Sequence, residues 1–183
     1  MFFFGDNTLD FKQRSIEQGY YLIINEDLIS AQAVFASLDS PRSRWGKILC
    51  DILNGRMFEY PSYFEIRNFL EIDLDFLLKN EKIDYVEQLL GSLDILIKIN
   101  QESYKYVARV MFENKFYNAC YKYLEKSKDV FYSDPELHFM FTKYYLHLGD
   151  YIKANKHIVA CLNILPDYFP AKKLQIEIES HLA

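Results

Sequence analysis

The sequence predicts an all-α protein of about ten helices, and three observations predict it. Apolar residues recur at three- and four-residue spacing along nearly all of the 183 residues, and strict alternation is rare. Only six residues are glycine and five proline, too few breakers for many short strands. The gaps between the periodic segments are short, so consecutive helices are expected to lie antiparallel as neighbours.

The first helix is expected over residues 8–24, ended by Asn25-Glu26-Asp27. The second covers 28–38 and stops at Asp39-Ser40-Pro41. Pro41 suits a first helical turn, where its missing N–H is not needed. The third covers 42–53, and Asn54-Gly55 ends it as a left-handed C-cap. Residues 56–62 form the longest expected loop, with Pro61 opening the helix over 63–78. There Phe64, Phe69, Leu70, Ile72, Leu74, Phe76 and Leu77 make an apolar face broad enough for burial on more than one side. After the turn at Lys79-Asn80-Glu81, one helix is expected over 83–99 with Gly91 inside it. An interior glycine costs about 1 kcal/mol relative to alanine, and a closely crossing helix would explain its tolerance.

From Gln101 the pattern becomes more regular, with helices expected over 102–113, 116–131, 135–148, 151–165 and 168–181. Ser133-Asp134-Pro135-Glu136 is a start signal: Ser133 or Asp134 can cap, Pro135 fits the first turn, and Glu136 complements the dipole. Residues 1–100 read as degenerate N-terminal hairpins, and 101–183 as repeats with a C-terminal capping helix, in one continuous domain. Fifteen Tyr and fifteen Phe supply rings to fill the space between helices.

The series Gly149, Tyr151, Ala154, Ile158, Cys161, Pro166, preceded by Phe141 and Tyr145, resembles the tetratricopeptide repeat. His138 stands where that family has a Trp or large apolar residue, and Thr142 where it has Gly or Ala. A second copy reads Tyr104, Val107, Ala108, then Phe116, Ala119 and Tyr123, with Ala119 to Ala154 spanning 35 residues. Gly19, Ala31 and Phe35 keep the family's spacing near the N-terminus, whereas residues 42–100 lack the small-residue signature. The spacing has a physical basis: a small side chain at the crossing lets two helices approach, and large ones fill the grooves beside it. The resemblance implies hairpins stacked as a right-handed superhelix, because each hairpin leaves an apolar face uncovered. A related all-helical repeat is the main competing fold.

Composition excludes some functions. A net charge of −5 without a basic run argues against general affinity for nucleic acid. No segment has the length of apolar sequence that a membrane span needs, and the apolar start Met1-Phe2-Phe3-Phe4 lacks a signal peptide's basic region and length. A cytoplasmic protein is therefore expected. Cys50, Cys120 and Cys161 are odd in number and far apart, so free, buried thiols are expected. Cys161 occupies a small-residue repeat position, which suits packing.

The residues offer little chemistry. His138, His147, His157 and His181 show no metal-binding spacing. Asp73 and Asp75, two apart on a helix, point to different faces and read as solvated charges, and Glu71 with Asp75 reads as ordinary surface charge. No phosphate loop, nucleophile elbow or Cys–His motif occurs. No cofactor, no metal and no catalysis are expected. Trp45, on the third helix, reads as a core anchor.

In the resembled family the first helix of each hairpin lines the inner groove. That implies groove positions at Glu136, Phe139, Lys143, Leu146 and His147, and one unit earlier at Glu102, Lys105, Arg109, Phe112 and Glu113. Lys105, Arg109 and Lys143 would form a basic stripe flanked by aromatics, suited to an acidic or aromatic-containing peptide. The family's carboxylate-clamp members have Asn where this chain has Arg109 and Lys143, which disfavours capture of a chaperone C-terminus. The expected function is a non-catalytic interaction module, an adaptor or chaperone-like scaffold for a protein or peptide partner. Type III secretion translocator chaperones resemble it in architecture and size. Two readings compete: a structural subunit of a homo-oligomer, with Phe2, Phe3 and Phe4 covered by the chain's own groove or by a second copy, and a helical enzyme or regulatory domain with a site near Trp45, Arg56, Tyr60 and Arg67.

Overall fold

The computed structural model describes residues 7–182, with side chains from Ser15 onward. Phe2, Phe3 and Phe4, whose cover the sequence raises as a question, lie outside the described residues. Among these residues there are eleven α-helices and no strand: α1 Asn7–Ile24, α2 Leu28–Ala36, α3 Pro41–Leu53, α4 Tyr63–Lys79, α5 Ile83–Gly91, α6 Leu93–Ile99, α7 Ser103–Glu113, α8 Tyr117–Val130, α9 Pro135–His147, α10 Tyr151–Ile164 and α11 Phe169–Leu182. No described helix is long and apolar enough to cross a membrane.

Local chemistry sets the starts. Ser40 and Ser62 each cap a helix with the side-chain oxygen and donate their own N–H to the Ser43 hydroxyl and the Glu65 carboxylate, the two halves of a capping box. Asp27, Asp134 and Asp150 cap α2, α9 and α10 with side-chain oxygens, so at α9 the cap is Asp134. Pro61 does not open α4; it precedes the Ser62 cap.

Five of the helix ends share one geometry. Glu26, Gly55, Glu81, Lys115 and Gly149 all have positive φ. Each donates its N–H three residues back, and the next residue donates five back, as in Gly149 to Leu146 and Asp150 to Tyr145. This is the Schellman arrangement, which satisfies two carbonyls that a helix end leaves open. Glu81, Lys115 and Gly149 stand 34 residues apart, so the repeating turn reaches back into the region where the side-chain signature is missing.

The helix expected over 83–99 is two helices, α5 and α6, meeting at Ser92, whose hydroxyl donates to the Leu89 carbonyl at 2.7 Å. Gly91 is exposed, and a Cβ built there would meet nothing within 4 Å. Close approach of another helix is therefore not what the glycine serves.

The chain divides into two compact units, Met1–Asn100 and Gln101–Ala183. In unit 1, α3 touches α1, α2, α4 and α5. Its Trp45, Ile48 and Leu49 are fully buried. Phe35 lies between two glycines: a Cβ on Gly19 of α1 or Gly46 of α3 would stand 2.5 or 2.7 Å from its ring. The glycines thus let α1 and α3 close on one aromatic ring. Asp73, expected in solvent, is wholly buried. It accepts from Tyr20 Oη at 3.0 Å, Arg42 Nη2 at 2.5 Å and Trp45 Nε1 at 2.5 Å. A buried carboxyl group needs such partners. Burial pushes the Asp73 carboxyl up against the pull of the Arg42 guanidinium and the Trp45 and Tyr20 donors.

In unit 2, each of α7 to α11 packs on the next, and α7 also touches α9. Lys153 lies over the Tyr145 ring while His138 meets His157, so α9 and α10 run antiparallel. Burial repeats at 34 residues. Tyr104, Val107, Ala108, Met111, Cys120, Leu124 and Ser127 are buried, as are His138, Phe141, Thr142, Tyr145, Ala154, Ile158 and Cys161. The small side chain at the α8 crossing is therefore Cys120, not Ala119, which is only half-buried. In α11 the positions equivalent to His138, Phe141 and Tyr145 are Lys172, Gln175 and Glu179. Ile176, equivalent to Thr142, is exposed, so this face of α11 is polar apart from one apolar residue.

Candidate functional site

The face that α7 and α9 present begins with charge. Lys105 is buried, with its Nζ 2.6 Å from Asp134, 2.8 Å from Glu136 and 3.5 Å from Glu102. Burial pulls the Lys105 ammonium down, but the bonds it donates to Asp134 and Glu136 outweigh it and hold it above the ordinary lysine range. Arg109 Nη2 meets Glu136 Oε1 at 2.5 Å. Desolvated cations require such compensation. Two members of the basic stripe are thus tied to carboxylates at the start of α9, and Lys105 is a core residue rather than a groove residue.

Further along, the face changes character. Lys143 Nζ sits 4.9 Å over the Phe112 ring, a cation–π contact between α9 and α7. No carboxylate pairs with this ammonium among the described residues. Phe112 also meets Tyr117 of α8 edge-on at 5.5 Å and His147 at 6.3 Å, and His147 stacks on Tyr117 at 3.6 Å. Phe139, one turn before Lys143, meets Tyr168 at 5.1 Å. Phe112, Tyr117, Phe139, Lys143 and Tyr168 are half-buried and His147 is exposed. Of the groove positions, Phe112, Lys143 and His147 come together directly, Phe139 stands one turn from Lys143 and meets Tyr168, and Lys105 and Arg109 belong to the ion network with Glu102 and Glu136. Tyr117 and Tyr168 were missed because they lie at hairpin and inter-hairpin turns rather than on the first helices.

A second cluster was not foreseen. His138 and His157 bring their Nδ1 atoms to 3.1 Å. Phe141 and Tyr145 stack on His157 at 4.6 and 5.5 Å, and Tyr132 meets His138 edge-on at 4.8 Å. Burial, with the neighbouring His138 and Lys156, depresses His157 to about 4, and burial depresses His138 as well. The only available signal was that a histidine stood at a core repeat position.

Other candidates disperse. Trp45 is fully buried while Arg56, Tyr60 and Arg67 are exposed. The three cysteines are free and buried, and burial pushes their thiols up to about 12, 12 and 11. High thiol pKa disfavours the nucleophilic thiolate. Among the described residues no group of three or more His, Cys, Asp or Glu is placed to hold a metal ion. In unit 1 a groove of about 720 Å³ lies among Leu38, Pro41, Arg44, Phe64 and Phe69. Its cations are paired, Arg44 with Glu65 and Lys47 with Glu59. No family model, curated protein or solved structure matches the chain.

Proposed function

We propose that unit 2 is a non-catalytic protein-interaction module whose α7–α9 face holds a segment of a partner protein. The observation that carries this reading is the set of half-buried rings Phe112, Tyr117, Phe139 and Tyr168, with Lys143 held over Phe112, drawn from successive hairpins. Half-buried aromatics beside a charged group supply the anchors that protein interfaces favour. Hairpins repeating at 34 residues support the tetratricopeptide-like reading, in which such hairpins stack as a right-handed superhelix with this face inward. An adaptor or chaperone-like scaffold fits that arrangement. The test is affinity capture from the native lysate with the full chain and with a Phe112→Ser, Phe139→Ser variant of unchanged helicity. A protein retained by the first and lost by the second supports the reading, and identical retention refutes it.

Self-association is the competing reading, favoured by the exposed Phe58, Tyr60 and Phe64 of unit 1, which stand 72%, 64% and 66% accessible within seven residues. Aromatic patches of this kind commonly mark contacts. Light scattering on the full chain and on a Phe58→Ser, Phe64→Ser variant separates the two: a mass above 21.8 kDa that falls in the variant favours the oligomer.

A further inference from the structure

Lys143 differs from the cations around it. Lys105 and Arg109 are two cations set among three carboxylates, Asp134, Glu136 and Glu102, so the start of the face has no positive charge to spare. Lys143 is half-buried, is held over Phe112 and has no carboxylate partner among the described residues. A ring face offers a cation only part of what an anion offers, and a half-desolvated ammonium gains most from a charged acceptor. Phe139 stands one turn away on the same side of α9, and the Phe112 ring meets Lys143 from α7. The site is a single positive charge held over one ring, with a second ring one turn back along α9.

We propose that Lys143 is the anion-binding centre of this face, recognising the side-chain carboxylate of an aspartate or glutamate in an extended partner segment. An apolar residue next to that acid rests on Phe112 and Phe139. The inference rests on the reading of unit 2 as a docking surface and adds the chemistry of what docks. One ammonium matches one carboxylate in charge, and neither Lys105 nor Arg109 is left over for a second anion. Charge complementarity of this kind selects partners as well as holding them.

The test selects a displayed library of random short peptides on the full chain, then measures the enriched peptides by titration against Lys143→Glu, Lys143→Gln and Phe112→Ala variants. Circular dichroism checks that each variant keeps its helicity. The expected result is enrichment of an acidic residue beside an apolar one. Lys143→Glu should then weaken binding about tenfold or more, the scale of a close charge pair. Replacing the peptide's acid by lysine should restore binding to Lys143→Glu. Peptides that lose affinity to Phe112→Ala but carry no acid, or ignore Lys143→Glu, overturn the carboxylate anchor and leave the docking surface standing. Failure to enrich any peptide, or peptides indifferent to all three variants, overturns both.

Discussion

The Nδ1 atoms of His138 and His157 face one another at 3.1 Å across the α9–α10 hairpin. One ring nitrogen must donate and the other accept, so the pair is held together only while the acceptor ring is neutral. Rings of Phe141, Tyr145 and Tyr132 surround it, with Asp134 before α9, Lys156 on α10, and Glu125 and Lys128 on α8 as the charged neighbours.

This pairing predicts acid sensitivity of unit 2. His157 titrates near 6.5 when unfolded and at about 4 when folded. Between these values the unfolded chain binds more protons, so stability is fully present above the unfolded value and is lost as pH falls toward about 4. The full linkage is reduced because the ring is only partly buried, leaving about 1–2 kcal/mol. Urea unfolding across that window should show the loss, and His157→Phe should flatten the part of the profile that His157 contributes. An unchanged profile in His157→Phe would refute the assignment.

A second prediction concerns Asp73. It receives hydrogen bonds from Tyr20, Arg42 and Trp45, which belong to α1 and α3, and the Arg42 guanidinium is sandwiched between the Tyr20 and Phe69 rings at 4.6 and 4.7 Å. Asp73→Ala strands all three donors and leaves a largely buried cation uncompensated. The expected loss is about 3–5 kcal/mol. The double variant Asp73→Ala, Arg42→Met removes the stranded charge and should recover part of it. Thermal unfolding of the two variants checks both.

These two clusters mark where the sequence stops being legible. Helix periods, the Asp134 cap, the Gly149 turn and the small residue at Ala154 are local signals, read within a few residues of the feature that they cause. The environment of Asp73 is not local: its donors lie 28, 31 and 53 residues away, and beside Asp75 it reads as one of two surface charges on an otherwise apolar helix. Lys105 is likewise concealed by Asp134, 29 residues on. At Ala119 the error was one residue of register. The 34-residue spacing from Cys120 to Ala154, equal to that from Lys115 to Gly149, was available but lies in a position where cysteine replaces the expected alanine.

The glycines predict opposite outcomes for one substitution. A methyl at Gly19 or Gly46 would stand 2.5 or 2.7 Å from the enclosed Phe35 ring, so Gly19→Ala and Gly46→Ala should each cost about 1–3 kcal/mol through overpacking. Gly91→Ala meets nothing within 4 Å and should add about 0.4–1 kcal/mol by restricting the unfolded chain. Equilibrium unfolding of the three single variants, read side by side, checks the contrast. Stabilisation by Gly19→Ala would show that Phe35 yields.

The Schellman turns supply the last prediction. Gly149 holds φ near 71° without a Cβ, while Glu81 and Lys115 hold 56° and 66° with one. The left-handed region crowds a Cβ against the carbonyl oxygen. Both turns carry the same pair of backbone bonds as the Gly149 turn, so the turn does not depend on the side chains of Glu81 and Lys115. Glycine at either position relieves the strain but loosens the unfolded chain, leaving a net gain of about 0.5–1 kcal/mol. Glu81→Gly and Lys115→Gly should therefore raise the unfolding midpoint. The control is Gly149→Lys, which should lower it by a similar amount. Destabilisation by Lys115→Gly would mean that the lysine side chain contributes more than its backbone strain costs.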